Sequence, residues 1–450
     1  MTALTLRALR GERLPITLVP RAFRKYSFQQ TRALSGSNAL VMTTTAVVEF
    51  LIWLLIAAAI IAVLAERLRI PYTVALVLGG VLLSVLRLPI LSPLQSGHRS
   101  DWLAPDVILI LFLPALVFEG SIKIEVRRLT RDFLPLLILA NFGVLMATLV
   151  TGYLVQWTIA LPLLFALLFG SIISATDPIS VLAIFKTLRI DKRLAFIIEG
   201  ESLLNDGTAV VLFQILLADV VVGKLNVAQG AGEFLLAVAG GAALGSLLGF
   251  FTTRITATRD DPQIEITLTT ILAYGSYLLA HNLHLSGVIA TASAGLMAGN
   301  FGAKRGMSAR TRIALESFWE YVSFVMNSLV FLLIGLEVHV LELLHSWRPV
   351  LFAIMAMLIG RVFSVYPLVA ISNLFAEKIP YRWQHVAVWG GLRGALALAL
   401  ALSLDSAFPY RAQILTLTFG VVIFSILVQG LTLKPLLRLL KIPSADAQPQ

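Results

Sequence analysis

Apolar runs of about 20 residues, the length needed to cross roughly 30 Å of hydrocarbon, recur along this chain and are parted by short clusters of basic residues. They mark thirteen helix windows, at 46–65, 70–89, 104–122, 133–157, 160–186, 194–222, 231–256, 264–284, 285–301, 312–340, 349–376, 382–404 and 411–437. The division between the eighth and ninth is the weakest. The pattern predicts an all-α polytopic membrane protein with about thirteen transmembrane helices.

Two of the windows are interrupted at mid-span: the fifth by Asp177-Pro178, the twelfth by Gly390-Gly391-Leu392-Arg393-Gly394. If windows one to six and eight to thirteen are two copies of a six-helix unit, the odd helix between them inverts the second copy. The two breaks then fall at equivalent places. A matched pair of broken helices in inverted repeats points to a binding site near the bilayer midplane.

Composition supports the membrane reading. Of 450 residues, 58% are hydrophobic and 13% charged, with a mean hydropathy of +0.89. The net charge of +10 comes from scattered clusters and not from one stripe, which excludes a nucleic-acid surface. With the first helix starting outside, 21 basic residues fall in inward loops and 5 in outward ones, which predicts a cytoplasmic C-terminus. The Arg-rich stretch before Met42, with Glu12 as its only acid, breaks that rule. It resembles an organellar targeting peptide in composition, and a true start at Met42 is the plainer expectation. The domain division expected is a basic extension over 1–45, a transmembrane domain over 46–440 and a short cytosolic tail over 441–450. Cysteine is absent, which removes disulfides and thiolate chemistry.

An ionised side chain at the centre of a membrane helix costs about 2.5–3.5 kcal/mol on insertion scales, so the acids inside these windows need a function or a partner. Ser202, Asn205 and Asp206 recur at i, i+3 and i+4 on one face of the sixth helix. Together they offer a carboxylate, a hydroxyl and an amide carbonyl, a set of oxygens suited to a partly dehydrated monovalent cation. At Asp206 proton and cation would compete for the same oxygens. Glu201 is expected to pair with Arg361 in the eleventh helix, since each needs neutralising there. Arg393, near the break of the twelfth helix, can cap exposed carbonyls, and Asp177 can accept N–H groups at the start of a half-helix. Thr176, beside the proline, can add a hydroxyl or carbonyl oxygen to the ion site. Glu119, near Lys123, is either a surface acid or a funnel residue. His281 and His284 stand near a helix end, where an interfacial role is the plainer one and pH sensing the alternative.

The strings LPALVFEG, SATDPISVLAIF, EGESLLNDGTAVVLF, a GR followed by VYPL, and WGGLRGALALAL resemble, in that order, those of the monovalent cation:proton antiporters of the NhaP and NHE type. The resemblance runs from about residue 46 to 440. It implies electroneutral exchange of one Na+ for one H+, by an elevator-like movement of a six-helix core against a dimerisation domain. Core helices would lie within 104–222 and, in part, 312–437, the remainder forming the dimerisation domain. Carried over by position, Asp206 would carry ion or proton, helped by Ser202, Thr176 and Glu119. Glu201 with Arg361 would hold the core together, and Asn205 and Asp177 would fix the crossing of the broken helices. Asn205 stands where electrogenic relatives have a second aspartate, hence the electroneutral expectation.

The expectation is thus a non-enzymatic secondary transporter for Na+ or Li+, with K+ as a further candidate. It needs no cofactor, sits as a homodimer in the cell (inner) membrane, or in an organellar membrane if the extension is a transit peptide, and binds no nucleic acid. Two rivals stand beside it. A cation channel lacks a repeated filter-like loop here, and an intramembrane aspartyl protease would need a GxGD-like sequence that NDGT is not. No P-loop supports ATP-driven pumping.

Overall fold

The computed structural model describes residues 44–68, 70–86, 105–256, 260–302, 308–338 and 340–442. The basic extension and most of the tail expected beyond 440 lie outside the described residues. No β-strand occurs among those described. The helices are α1 (Thr44–Leu68), α2 (Tyr72–Leu86), α3 (Pro105–Lys123), α4 (Phe133–Ile159), α5a (Leu163–Ile172), α5b (Ile179–Leu188), α6 (Lys192–Val222), α7 (Val227–Thr256), α8 (Pro262–Asn282), α9 (Gly287–Met297), α10 (Ala309–Leu336), α11 (Trp347–Ser372), α12a (Tyr381–Trp389), α12b (Ala395–Leu402) and α13 (Arg411–Leu439). Short helices Val126–Arg131 and Val340–His345 lie between them. Each of the thirteen windows holds helix. Seven helices are long and apolar enough to cross a membrane by length and composition alone: α1, α4, α6, α7, α10, α11 and α13. The described helices expose many large apolar side chains, among them Trp157, Leu236 and Phe363, as a lipid-facing surface requires.

Local chemistry sets the helix ends. The Asp191 carboxylate accepts the Arg193 and Leu194 N–H groups and starts α6, which stops at Gly223 in the left-handed region, φ 76°. Asp261 caps α8 with Pro262 in its first turn, and the side chains of Ser286 and Ser308 cap α9 and α10. The Ser286 cap makes the eighth and ninth windows two separate helices. Three π-helical turns interrupt longer helices, at Ile138–Gly143, Ala298–Gly302 and Ser425–Gln429. The last of these turns supports the twelfth-helix break: Ser425 Oγ accepts the Arg393 N–H at 2.8 Å, and Gln429 Nε2 donates to the Trp389 carbonyl at 3.1 Å.

Packing sorts the helices into two groups. Helix α4 packs on α5a and α11, α6 on α5a, and α13 on α11 and α12b. In the second group α9 packs on α7, α8 and α3, and α10 on α1, α2, α3 and α8. Contacts of α6 with α7 and α9, and of α12b with α3 and α10, join the groups. Between them lies a cleft.

Candidate functional site

Proline at 178 ends the fifth helix's hydrogen-bond ladder, so the stretch from Ile173 to Pro178 must find partners elsewhere. The twelfth window does the same between Gly390 and Gly394. The two extended stretches meet, and the Asp177 N–H donates to the Leu392 carbonyl at 2.7 Å. Gly394 is required at this meeting, because a Cβ there would collide with the Asp177 carboxylate. Asp177 Oδ1 accepts the Ile179 N–H at 2.9 Å and so starts α5b. Arg393, 1% exposed, donates from Nη1 to the carbonyls of Ser174 and Ala175 at 2.8 and 2.9 Å, covering the end of α5a. The fifth-helix break is therefore satisfied by Arg393 of the other break and by α6, and the twelfth-helix break by the Asp177 N–H and by side chains of α11 and α13.

Helix α6 supplies the rest. Asn205 is 1% exposed, and its Nδ2 donates to Thr176 Oγ1 at 2.7 Å while its Oδ1 accepts the Thr176 N–H at 3.4 Å. Ser202 Oγ donates to the Thr176 carbonyl. The carboxylate of Glu201 receives a two-pronged bond from Arg361, at 2.6 and 2.9 Å, with the residues 2% and 5% exposed. The same guanidinium reaches the Ala387 carbonyl at 3.0 Å, near the end of α12a. Gly391 leaves it room, since a Cβ there would stand 2.7 Å from Arg361 Nε.

One expectation changes. The sequence placed a carboxylate, a hydroxyl and an amide oxygen on one ion-facing side of α6, whereas the Asn205 amide is consumed by Thr176. The physical reason is the proline break: Thr176 lies outside any helix ladder, and the nearest amide satisfies it. What lines the cleft from α6 is Glu199, Ser202, Leu203 and Asp206.

The cleft has a volume of about 150 Å³ and is walled by α3, the two breaks, α6, α10 and α12b. Its polar lining brings together Glu119, Thr176, Asp177, Glu199, Ser202 and Asp206 with Ser323 and Asn327. Asp206 Oδ1 is buried and has no hydrogen-bond partner among the described residues. Glu119 is both things the sequence left open: it lines the cleft, and it pairs with Lys123 at 2.6 Å. Arg361, Glu201, Asn205 and Arg393 stand outside the lining, as the frame around it. Sequence reasoning missed Glu199, Ser323 and Asn327. Glu199, Ser202 and Asp206 repeat at i, i+3 and i+7, a legible helical stripe. Ser323 and Asn327 stand four apart in an apolar stretch of α10, and nothing in that stretch shows which face meets the cleft.

Residues 54–439 match the family model described as "Sodium/hydrogen exchanger, transmembrane". The chain belongs to the sodium/hydrogen exchanger family. Among its relatives, the Na(+)/H(+) antiporter NhaG of Bacillus atrophaeus is 41% identical over 387 residues, covering 85% of this chain and 73% of that one. The Na(+)/H(+) antiporter NhaP of Pseudomonas aeruginosa is 41% identical over 345 residues, 74% of this chain and 81% of that one. The fold is that of the sodium proton antiporter MjNhaP1 from Methanocaldococcus jannaschii, with a TM-score of 0.73 at 22% identity, covering 88% of this chain and 99% of that one. This exchanger-family chain is thus a multi-pass membrane protein of the antiporter fold, with paired broken helices.

Proposed function

We propose that this protein is a secondary antiporter that exchanges a monovalent cation, Na+ or Li+ with K+ as a further candidate, for a proton by alternating access. The observation that carries the reading is Asp206 Oδ1: a buried carboxylate oxygen without a protein partner among the described residues, facing an acidic cleft beside the crossing of two broken helices. A carboxylate in that place must hold a proton or a cation, and the two exclude each other on the same oxygens. Ser202, whose hydroxyl hydrogen points to Thr176, keeps lone pairs for a cation, and Thr176 adds a second hydroxyl oxygen. Glu119 and Glu199 form an acidic approach toward Asp206. The amide at Asn205 carries no second titrating charge, which supports one Na+ for one H+.

In the elevator reading, α4–α6 and α11–α13 are the moving core, and α1–α3 and α7–α10 the scaffold. The packing of α3 on α9 and of α10 on α1, α2 and α8 supports counting both with the scaffold, where the range expected for the core took in α3 and only part of 312–437. The scaffold would also carry the homodimer contact, and the bias of basic residues toward inward loops supports a cytoplasmic C-terminus. Neither rival gains support: Asp177 is engaged in starting α5b and closing on Gly394, which leaves no catalytic aspartate pair, and the acids line a cleft between helices instead of a filter loop.

Reconstitution in liposomes with a trapped pH dye tests the reading. Added Na+ or Li+ should move protons against the imposed gradient. No pH change with any alkali cation would reject exchange.

A further inference from the structure

Asn327 faces the cleft from the opposite wall. It sits in the middle of α10, is 6% exposed, and its Nδ2 donates to Ser323 Oγ at 3.2 Å one turn back. That bond turns the other end of the amide away from Ser323. Asn327 Oδ1 is buried and has no hydrogen-bond partner among the described residues. A buried amide oxygen left unmatched costs free energy comparable to a lost hydrogen bond, so a polar helix residue placed this way calls for an outside partner.

The oxygens of the core do not suffice for a dehydrated alkali cation. Asn205 spends one N–H and its Oδ1 on Thr176 and is not part of the cleft lining, and Asp177 Oδ1 is held by the Ile179 N–H. From the core, the cleft receives chiefly the Asp206 carboxylate and the hydroxyl oxygens of Ser202 and Thr176. Hard cations bound through oxygen take on the order of six ligands, more than these side chains supply. The scaffold wall supplies an unmatched carbonyl-type oxygen in the same cleft.

We propose that Asn327 Oδ1 is a cation ligand contributed by the scaffold, which raises affinity for Na+ or Li+ in the conformation described here and not in the opposite one. The inference rests on the antiport reading. Asp206 belongs to the core and Asn327 to the scaffold, so any movement of one group past the other separates the two oxygens. The cation is then held more tightly on the cleft side and released more readily on the far side. Proton binding needs only the carboxylate and does not share this asymmetry.

The test uses the full-length protein in oriented vesicles, with Na+ titrated from each side in turn. Asn327→Ala is expected to raise the Na+ KM on the cleft side on the order of five- to tenfold, the scale of one lost oxygen contact, with kcat little changed. The far-side KM should stay at the wild-type value. Asn327→Asp, which keeps an oxygen at the position, should hold the cleft-side KM at or below wild type. A merely structural role would lower kcat and both KM-derived rates together and would not be rescued by Asp. An unchanged cleft-side KM in Asn327→Ala, or an equal rise on both sides, overturns the proposal while leaving exchange itself standing. Absence of Na+-driven proton movement in the wild-type vesicles overturns the underlying reading, and this proposal with it.

Discussion

Around the crossing of α5 and α12 the contacts between helices are made by guanidinium, carboxylate and amide groups, whereas between α7 and α9 they are made by glycine. In the first region Arg361, Arg393, Asn205 and Asp177 each bond to a group of a broken helix, and Glu201 neutralises Arg361. In the second, Gly241, Gly245 and Gly249 recur every four residues and let the backbones touch: a Cβ at Gly241 would stand 2.7 Å from the Ser286 carbonyl, and one at Gly245 would fall on that of Ala290. The polar region keeps directional bonds that can be exchanged for others when helices shift. The glycine seam has only close contact, which holds one geometry. The contrast fits a rearranging core against a fixed scaffold, and perturbing each side separately tests it.

The largest effect is expected at Asp206. Asp206→Asn removes the titrating group while nearly keeping its shape, so exchange in liposomes should vanish while detergent melting stays close to wild type. Retained exchange would move the site elsewhere.

Next come Glu201→Ala and Arg361→Ala. Each leaves a buried charge without its partner, for a loss of about 3–5 kcal/mol read as a lowered melting temperature. Replacing both with apolar residues of similar volume should be less damaging than either single change. If each single variant melts like wild type, the pair does not hold the core.

On the scaffold side, Gly245→Ala drives a methyl group into the Ala290 backbone, an overpacking cost of about 1–3 kcal/mol. Gly275 in α8 provides the control, because a Cβ there meets nothing within 4 Å. Gly275→Ala should be neutral or slightly stabilising through helix propensity. Equal losses at both positions would mean that the seam is not the source of rigidity.

The smallest effect is expected in the loop cluster where Arg131 and Arg193 meet Glu377 at 2.5 and 3.0 Å, with Arg193 also bonded to the buried Asp132 at 2.7 Å. The hydrogen bond from Arg131 holds the exposed Glu377 carboxyl below its ordinary value of 4.5. A lowered carboxyl stabilises the folded state above its ordinary pKa, and that stabilisation is lost as pH falls through the lowered value. Glu377→Gln should therefore melt slightly lower than wild type near neutral pH, and the difference should close as acidification passes below the lowered value. A gap that persists in acid would assign the effect to packing.

Much of this architecture is legible in the sequence. The apolar windows locate the long helices among the described residues, because helix length and hydropathy are local properties set by the bilayer. Pro178 and the Gly390–Gly394 run announce the breaks for a similarly local reason: backbone hydrogen bonding fails there whatever surrounds it. The pairing of Glu201 with Arg361 can be inferred because two opposite charges stranded in lipid have few other solutions. The engagement of Asn205 by Thr176 is not legible, nor is Asn327 as a cleft residue, because an amide on a helix reads the same whether it faces a cavity or a neighbouring backbone.

What the chain determined by itself, then, was its solvent, its helices, their two interruptions and the acid most in need of a reason, since each follows from the cost of placing polar groups in hydrocarbon. Only the tertiary structure decided which oxygens remain unmatched. That is settled by which wall faces which across the cleft, a relation between α6 and α10, far apart in the chain, that no local pattern contains.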